Sequence, residues 1–220
     1  MMMAGRSLRL ALVAVLFTLG CTASALQPTD APKPATPDLP KPGIPDLPIV
    51  VTGQSNAVNL FSSGAFPALY PKAICAGCLG NMPISAWDGG TDLWQQLEAA
   101  LRQPLAALVQ WQGETDYNLG NRHWAADERA FLGRVRGANK NPNLLVVLVE
   151  IVPFGDNGFI RAAQEQVAAS DPNVVLVKMD GIQTADDVHL AILPGQNGYV
   201  TAAQRMRHVA RLYRERAIRR

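Results

Sequence analysis

Leu144-Leu145-Val146-Val147-Leu148-Val149-Glu150-Ile151-Val152 is the strongest strand signal in the chain. It lacks the apolar–polar alternation of a strand wetted on one face, and a parallel strand covered on both faces reads this way. Working outward, Leu105 to Trp111, Ala73 to Leu79 and the β-branched run Ile49-Val50-Val51-Thr52, ended by Gly53, are three earlier strands. Val174-Val175-Leu176-Val177 is a later one. Helical stretches lie between them. From Thr91 to Arg102, Leu93, Leu97 and Leu101 recur at a four-residue step and share one face. His123 to Ala138, Gly158 to Ala169 and Gly198 to Arg219 are the other helices. Strands alternating with helices imply parallel pairing through right-handed crossovers, hence a three-layer α/β/α sandwich around a mainly parallel five-stranded sheet. Such sheets bind ligands beyond the carboxyl ends of their strands. Chemistry is therefore expected just after Thr52, Leu79, Val109 and the fifth strand.

Residues before the first strand carry a different signal. Arg6 and Arg9 supply a positive start, Leu10 to Leu19 a short apolar stretch, and Ala23-Ser24-Ala25 a small-residue end. This is the layout of a secretory signal peptide over residues 1–25, and it predicts export to the periplasm or medium. Leu19-Gly20-Cys21 resembles the end of a bacterial lipoprotein signal, in which a lipidated Cys21 leads the mature chain and tethers it to a membrane. Both processing routes stay open. Residues 26–47 are a Pro-rich linker, in which Pro37-Asp38-Leu39-Pro40 is echoed by Pro45-Asp46-Leu47-Pro48. Proline fixes its backbone angle and removes a donor, so the segment reads as an extended spacer. The folded domain is expected over residues 48–220.

Composition narrows the class. The chain has 220 residues, 48% hydrophobic and 17% charged, which excludes an intrinsically disordered protein. No apolar run reaches the length of a membrane span. Without Arg6 and Arg9 the 20 basic residues fall to 18, against 18 acidic ones. That balance gives no reason to expect a nucleic-acid partner.

Four polar clusters fall at the expected strand ends. Gly53-Gln54-Ser55-Asn56 follows the first strand and places a serine on a tight turn. Gly80-Asn81-Met82-Pro83 follows the second, and Trp111-Gln112-Gly113-Glu114-Thr115-Asp116 the third. Asp186-Asp187-Val188-His189 precedes the last helix. A hydroxyl needs a neighbouring base to become a nucleophile, and the base needs an orienting carboxylate. Asp186, three residues before His189, is placed to be that carboxylate, with Asp187 as runner-up. Singly, each cluster is also an ordinary turn or helix cap.

In this order, the Gly-Gln-Ser-Asn, Trp-Gln-Gly-Glu-Thr-Asp and Asp-x-x-His blocks resemble the sialate O-acetylesterase group of SGNH hydrolases, which includes acetylxylan esterases and related carbohydrate acetylesterases. The resemblance implies a flavodoxin-like SGNH fold and a serine esterase acting on O-acetyl esters of a carbohydrate. It implies Ser55 as nucleophile, His189 as base and Asp186 as its partner. The oxyanion hole would use the N–H groups of Ser55 and Gly80 and the side-chain amide of Gln112. Glu114 and Asp116 would brace the loop, and no metal or cofactor is implied. Relatives commonly carry Gly-Gly-Thr-Ser where this chain has Gly80-Asn81-Met82-Pro83, and Pro83 has no N–H to offer. A lipase or thioesterase on the same scaffold, or an envelope glycan-binding protein with a vestigial triad, are the alternatives.

Three features stay outside that reading. Cys75 and Cys78 have the spacing of half a zinc site; two buried thiols are the default, and a local disulfide is the alternative. Arg205, Arg207, Arg211, Arg214, Arg216, Arg219 and Arg220 give the last helix a basic, solvated face. Trp87, Trp94, Trp111 and Trp124 are core residues or sugar-stacking platforms.

Overall fold

The computed structural model describes residues 47–218. The expected signal peptide, the expected lipidation at Cys21 and nearly all of the expected Pro-rich linker lie outside the described residues.

Five strands form one parallel sheet: β1 (Ile49–Gly53), β2 (Ile74–Cys78), β3 (Ala107–Trp111), β4 (Val146–Val149) and β5 (Val174–Val177), in the order β2-β1-β3-β4-β5. Helices α1 (Ser55–Ser62), α2 (Ala65–Leu69) and α7 (Gly198–Ile218) pack together on one face. On the other lie α3 (Asp92–Leu101), α5 (Trp124–Asn139) and α6 (Gly158–Ser170), while the short α4 (Glu114–Asn118) follows β3 at its carboxyl end. This is the expected three-layer α/β/α sandwich. After β1 the chain moves to β2 on one side, then crosses back to β3 on the other. The carboxyl ends of β1 and β3 thus flank the topological switch point, where a parallel sheet opens a crevice.

The β4 ladder is shorter than its apolar run. Leu144, Leu145, Ile151 and Val152 are buried, but the rungs stop where the four-residue β5 stops, at Val149↔Val177. Beyond that point the Ile151 N–H turns to Gln164 Oε1 at 3.1 Å. Helix α3 begins where expected, because the Thr91 hydroxyl accepts the Trp94 N–H at 3.2 Å. Helices α1, α2 and α4, a 3-10 turn at Ile84–Trp87 and a small hairpin of β6 (Ile192–Leu193) and β7 (Gln196–Asn197) were not legible as periodic segments. Each is too short to show a period.

All four tryptophans are core residues, none more than 8% exposed, so none is a stacking platform. Cys75 and Cys78 form a disulfide, which replaces the expected pair of buried thiols. Arg205, read as part of a solvated face, donates to the carbonyls of Lys178 and Asp180, both at 2.9 Å, and pins α7 to the turn after β5.

Candidate active site

Gly53 ends β1 at φ +134, and a Cβ there would lie 2.0 Å from the Trp111 carbonyl oxygen. Only glycine lets β1 and β3 approach this closely at the switch point. The Gln54 N–H then donates to Trp111 O at 3.1 Å, and α1 starts at Ser55. A helix leaves its first N–H groups unpaired and its positive end outward. Gly80 lies against this end, and its would-be Cβ is 3.6 Å from Ser55 Cβ. Among the described residues neither the Ser55 nor the Gly80 N–H donates to a carbonyl. Ser55 is half-buried and therefore reachable from solvent. Two free donors thus flank a serine hydroxyl.

Asp186 and His189 form the expected pair, with Nδ1 of His189 2.7 Å from Oδ2 of Asp186. The other carboxylate oxygen accepts the His189 N–H at 2.7 Å and the Val188 N–H at 3.3 Å. These backbone donors, and then the imidazole, hold the Asp186 carboxyl below its ordinary value. Being an acceptor only, the carboxylate keeps the proton on Nδ1 and leaves Nε2 as the basic nitrogen. Asp187 adopts a left-handed φ of 66 and makes no bond to the imidazole, so the carboxylate on the ring is that of Asp186. His189 also lines a cleft of about 420 Å3 with Asn59, Ser62, Ile192 and Tyr199.

The Ser55 hydroxyl makes no hydrogen bond among the described residues. The link between its helix and the histidine loop runs through Asn56, which is fully buried. Its Nδ2 donates to Val188 O at 3.0 Å and to Glu114 Oε1 at 2.9 Å, and its Oδ1 accepts from the Tyr199 hydroxyl at 3.0 Å. Asn59 Nδ2 donates to the same hydroxyl at 3.1 Å. Burial pushes the Tyr199 phenol up, which keeps it a donor. Gln54 completes the set, donating to Glu114 Oε2 and accepting from Thr115 Oγ1 at 2.6 Å. Burial raises the Glu114 carboxyl above its ordinary value, while the donors from Asn56 and Gln54 work the other way. Glu114 therefore braces the loop, as expected.

Gln112 departs from expectation. Its Oε1 accepts from Trp124 Nε1 at 2.7 Å, and an indole can only donate, so the amide orientation is fixed. Its Nε2 then donates to Met82 O at 3.2 Å and to Asp116 Oδ2. Both amide hydrogens are engaged and the residue is fully buried, so Gln112 is not a free oxyanion donor in this structure. It holds the loop after β2 instead. Asp116 does the same, accepting the Ile84 N–H at 2.9 Å and Asn121 Nδ2 at 2.8 Å. These contacts grip the loop at Met82 and Ile84, on either side of Pro83, so the missing N–H of Pro83 costs it no anchor. Gln54 and Asn56 flank the serine in sequence and could have been suspected. Tyr199 gave no signal in the chain.

A family model described as carbohydrate esterase, sialic acid-specific acetylesterase, matches residues 72–210. No curated protein sequence matches the chain significantly. Among solved structures, a carbohydrate acetylesterase from Xanthomonas citri is similar at 13% identity and TM-score 0.57, covering 75% of this chain and 57% of its own. A family 3 carbohydrate esterase from Clostridium thermocellum is similar at 15% identity and TM-score 0.56, over 77% of this chain and 98% of its own. A putative SGNH hydrolase from Slackia heliotrinireducens is similar at 14% identity and TM-score 0.56, over 74% and 98%. At these identities the likeness establishes the fold.

Proposed function

The chain belongs to the carbohydrate esterase family of sialic acid-specific acetylesterases, and from that premise we propose that it removes O-acetyl groups from a carbohydrate through Ser55, His189 and Asp186. The observation that carries this reading is the 2.7 Å contact between His189 and Asp186, held on a loop tied to the helix that begins at Ser55. Nε2 of His189 takes the proton from the Ser55 hydroxyl as its oxygen attacks the acetyl carbonyl. The carbonyl oxygen becomes an oxyanion held by the N–H groups of Ser55 and Gly80. Removing one such donor costs about 2.7–4 kcal/mol in enzymes where this has been measured. The intermediate collapses, His189 returns the proton to the departing sugar oxygen, and acetyl stays on Ser55. Water then attacks with His189 as base and releases acetate. Gln112 contributes by holding the loop after β2.

The test is hydrolysis of 4-nitrophenyl acetate and butyrate by the full chain beside its Ser55→Ala variant. Acetate turnover lost in the variant supports the reading. Butyrate preferred over acetate moves it to a lipase or thioesterase. Wild type no faster than the variant on either ester favours a glycan-binding protein. Export rests on the leader sequence, as does anchoring through Cys21. The mass of the mature N-terminus decides between a lipidated Cys21 and cleavage after Ala25.

A further inference from the structure

The edge strand β2 carries an irregularity directly before Gly80. Val51 pairs with Cys75, but Gly53, two residues on, pairs with Cys78, three residues on. One extra residue is therefore accommodated between Cys75 and Cys78, and the disulfide spans it. Gly77 turns there with φ +61, and a Cβ on it would meet Leu93 O at 2.8 Å. Its carbonyl accepts from Trp87 Nε1 at 2.9 Å and from Thr52 Oγ1 at 3.2 Å. Past the bulge, the Leu79 N–H donates to Gly53 O at 3.0 Å, and Gly80 comes to rest against Ser55.

We infer that the Cys75–Cys78 disulfide is a positioning device for the oxyanion hole, and this inference rests on the esterase reading above. Its four-residue ring is too small to remove much entropy from the unfolded chain. What the ring does restrict is the bulge. Among the described residues β2 has a ladder partner on one side only, so fewer bonds hold its register than hold that of an inner strand. A slip of one residue moves the following chain by about 3.3 Å. An oxyanion donor works only within about 2.7–3.1 Å of the oxygen, so a slip of that size removes the Gly80 N–H from the reaction. Cys75 and Cys78 are thus positioning residues that touch no reacting atom.

The experiment compares oxidised full-length protein, the same protein reduced with dithiothreitol, and the Cys75→Ser, Cys78→Ser double variant. Reduction breaks the Sγ–Sγ bond to two thiols while dithiothreitol leaves as its cyclic disulfide. Three readouts are taken: kcat and KM on 4-nitrophenyl acetate, amide exchange over residues 74–86, and the thermal midpoint. The expected result is a fall in kcat of about 100-fold, the size seen when one oxyanion donor is lost, with KM within about twofold. Exchange rises at Leu79 and its neighbours while the thermal midpoint moves by only a few degrees. Unchanged exchange, or raised exchange with unchanged kcat, overturns the inference. If oxidised wild type hydrolyses no ester, the esterase reading fails on its own. The exchange comparison then still decides whether the disulfide holds this segment.

Discussion

The side-chain amide of Asn56 donates to the carbonyl oxygen of Val188 at 3.0 Å and so ties the residue after Ser55 to the residue before His189. Because Asn56 also serves Glu114 and Tyr199, one buried side chain sets the spacing between the helix that begins at Ser55 and the loop that carries His189. Asn56→Ala leaves three polar partners short of a bond in a buried site, at a cost of about 1–3 kcal/mol for each group left unsatisfied. We expect a clear loss of thermal stability and a fall in kcat of about tenfold or more, with KM little changed. Steady-state kinetics and a melting curve on the same preparation check both.

Asp186→Asn keeps the shape of the orienting group but offers a donor where Nδ1 needs an acceptor. The wrong tautomer then leaves Nε2 protonated, a change that costs about 10⁴ in kcat in a deeply buried triad. Asp186 is more than half exposed, so the expected loss is smaller, about 10²–10³. Asp187→Asn is expected to stay near wild type. A large loss in the Asp187 variant alone would reverse the assignment. Because the Asp186 carboxyl lies below its ordinary value in the fold, the stability it contributes is present above the unfolded value of 3.8 and is lost as pH falls through the folded one.

Gly53→Ala places a methyl 2.0 Å from Trp111 O in a left-handed backbone, and neither strand can move without breaking the switch point. The expected cost is about 3 kcal/mol or more. Gly64→Ala is the control, with φ +74 and open space around it, and about 1–2 kcal/mol is expected there. Denaturant unfolding of the two variants compares the costs. Equal costs would mean that the close approach at Gly53 is not what demands glycine.

Burial pushes the Glu128 carboxyl up to about 8, against 4.5 for the free group. The geometry agrees with a neutral acid. Gln110 Nε2 donates to Glu128 Oε2 at 3.0 Å, while Gln110 Oε1 and Glu128 Oε1 are both buried without a partner. An ionised carboxylate would leave Glu128 Oε1 a buried charged acceptor with no donor, which the neutral acid avoids. Between pH 4.5 and about 8 the folded chain keeps the acid's proton and the unfolded chain loses it. Stability therefore falls as pH rises through that window, by up to about 1.4 kcal/mol per unit. Glu128→Gln is expected to flatten the profile, so that the variant gains on wild type from pH 5 to pH 8 in melts at matched ionic strength.

By itself the sequence determined the sheet and the pairing of Asp186 with His189. The apolar runs at β1, β3, β4 and β5 are local signals of strands covered on both faces, and their alternation with helices dictates parallel pairing. Asp186 and His189 meet because three residues span one turn, so that contact was also legible. Tertiary structure alone decided the rest. Whether the Gln112 amide was free depended on Met82, Trp124 and Asp116 competing for it. The Asn56–Val188 bond joins segments 132 residues apart. The turn at Gly77 leaves no room for a Cβ beside Leu93 O, and its carbonyl is bonded by Trp87 and Thr52, all three from other segments. A sequence pattern records periodicity within a segment. The partner of a buried polar group is chosen by everything that reaches it, and only the folded chain brings those competitors together.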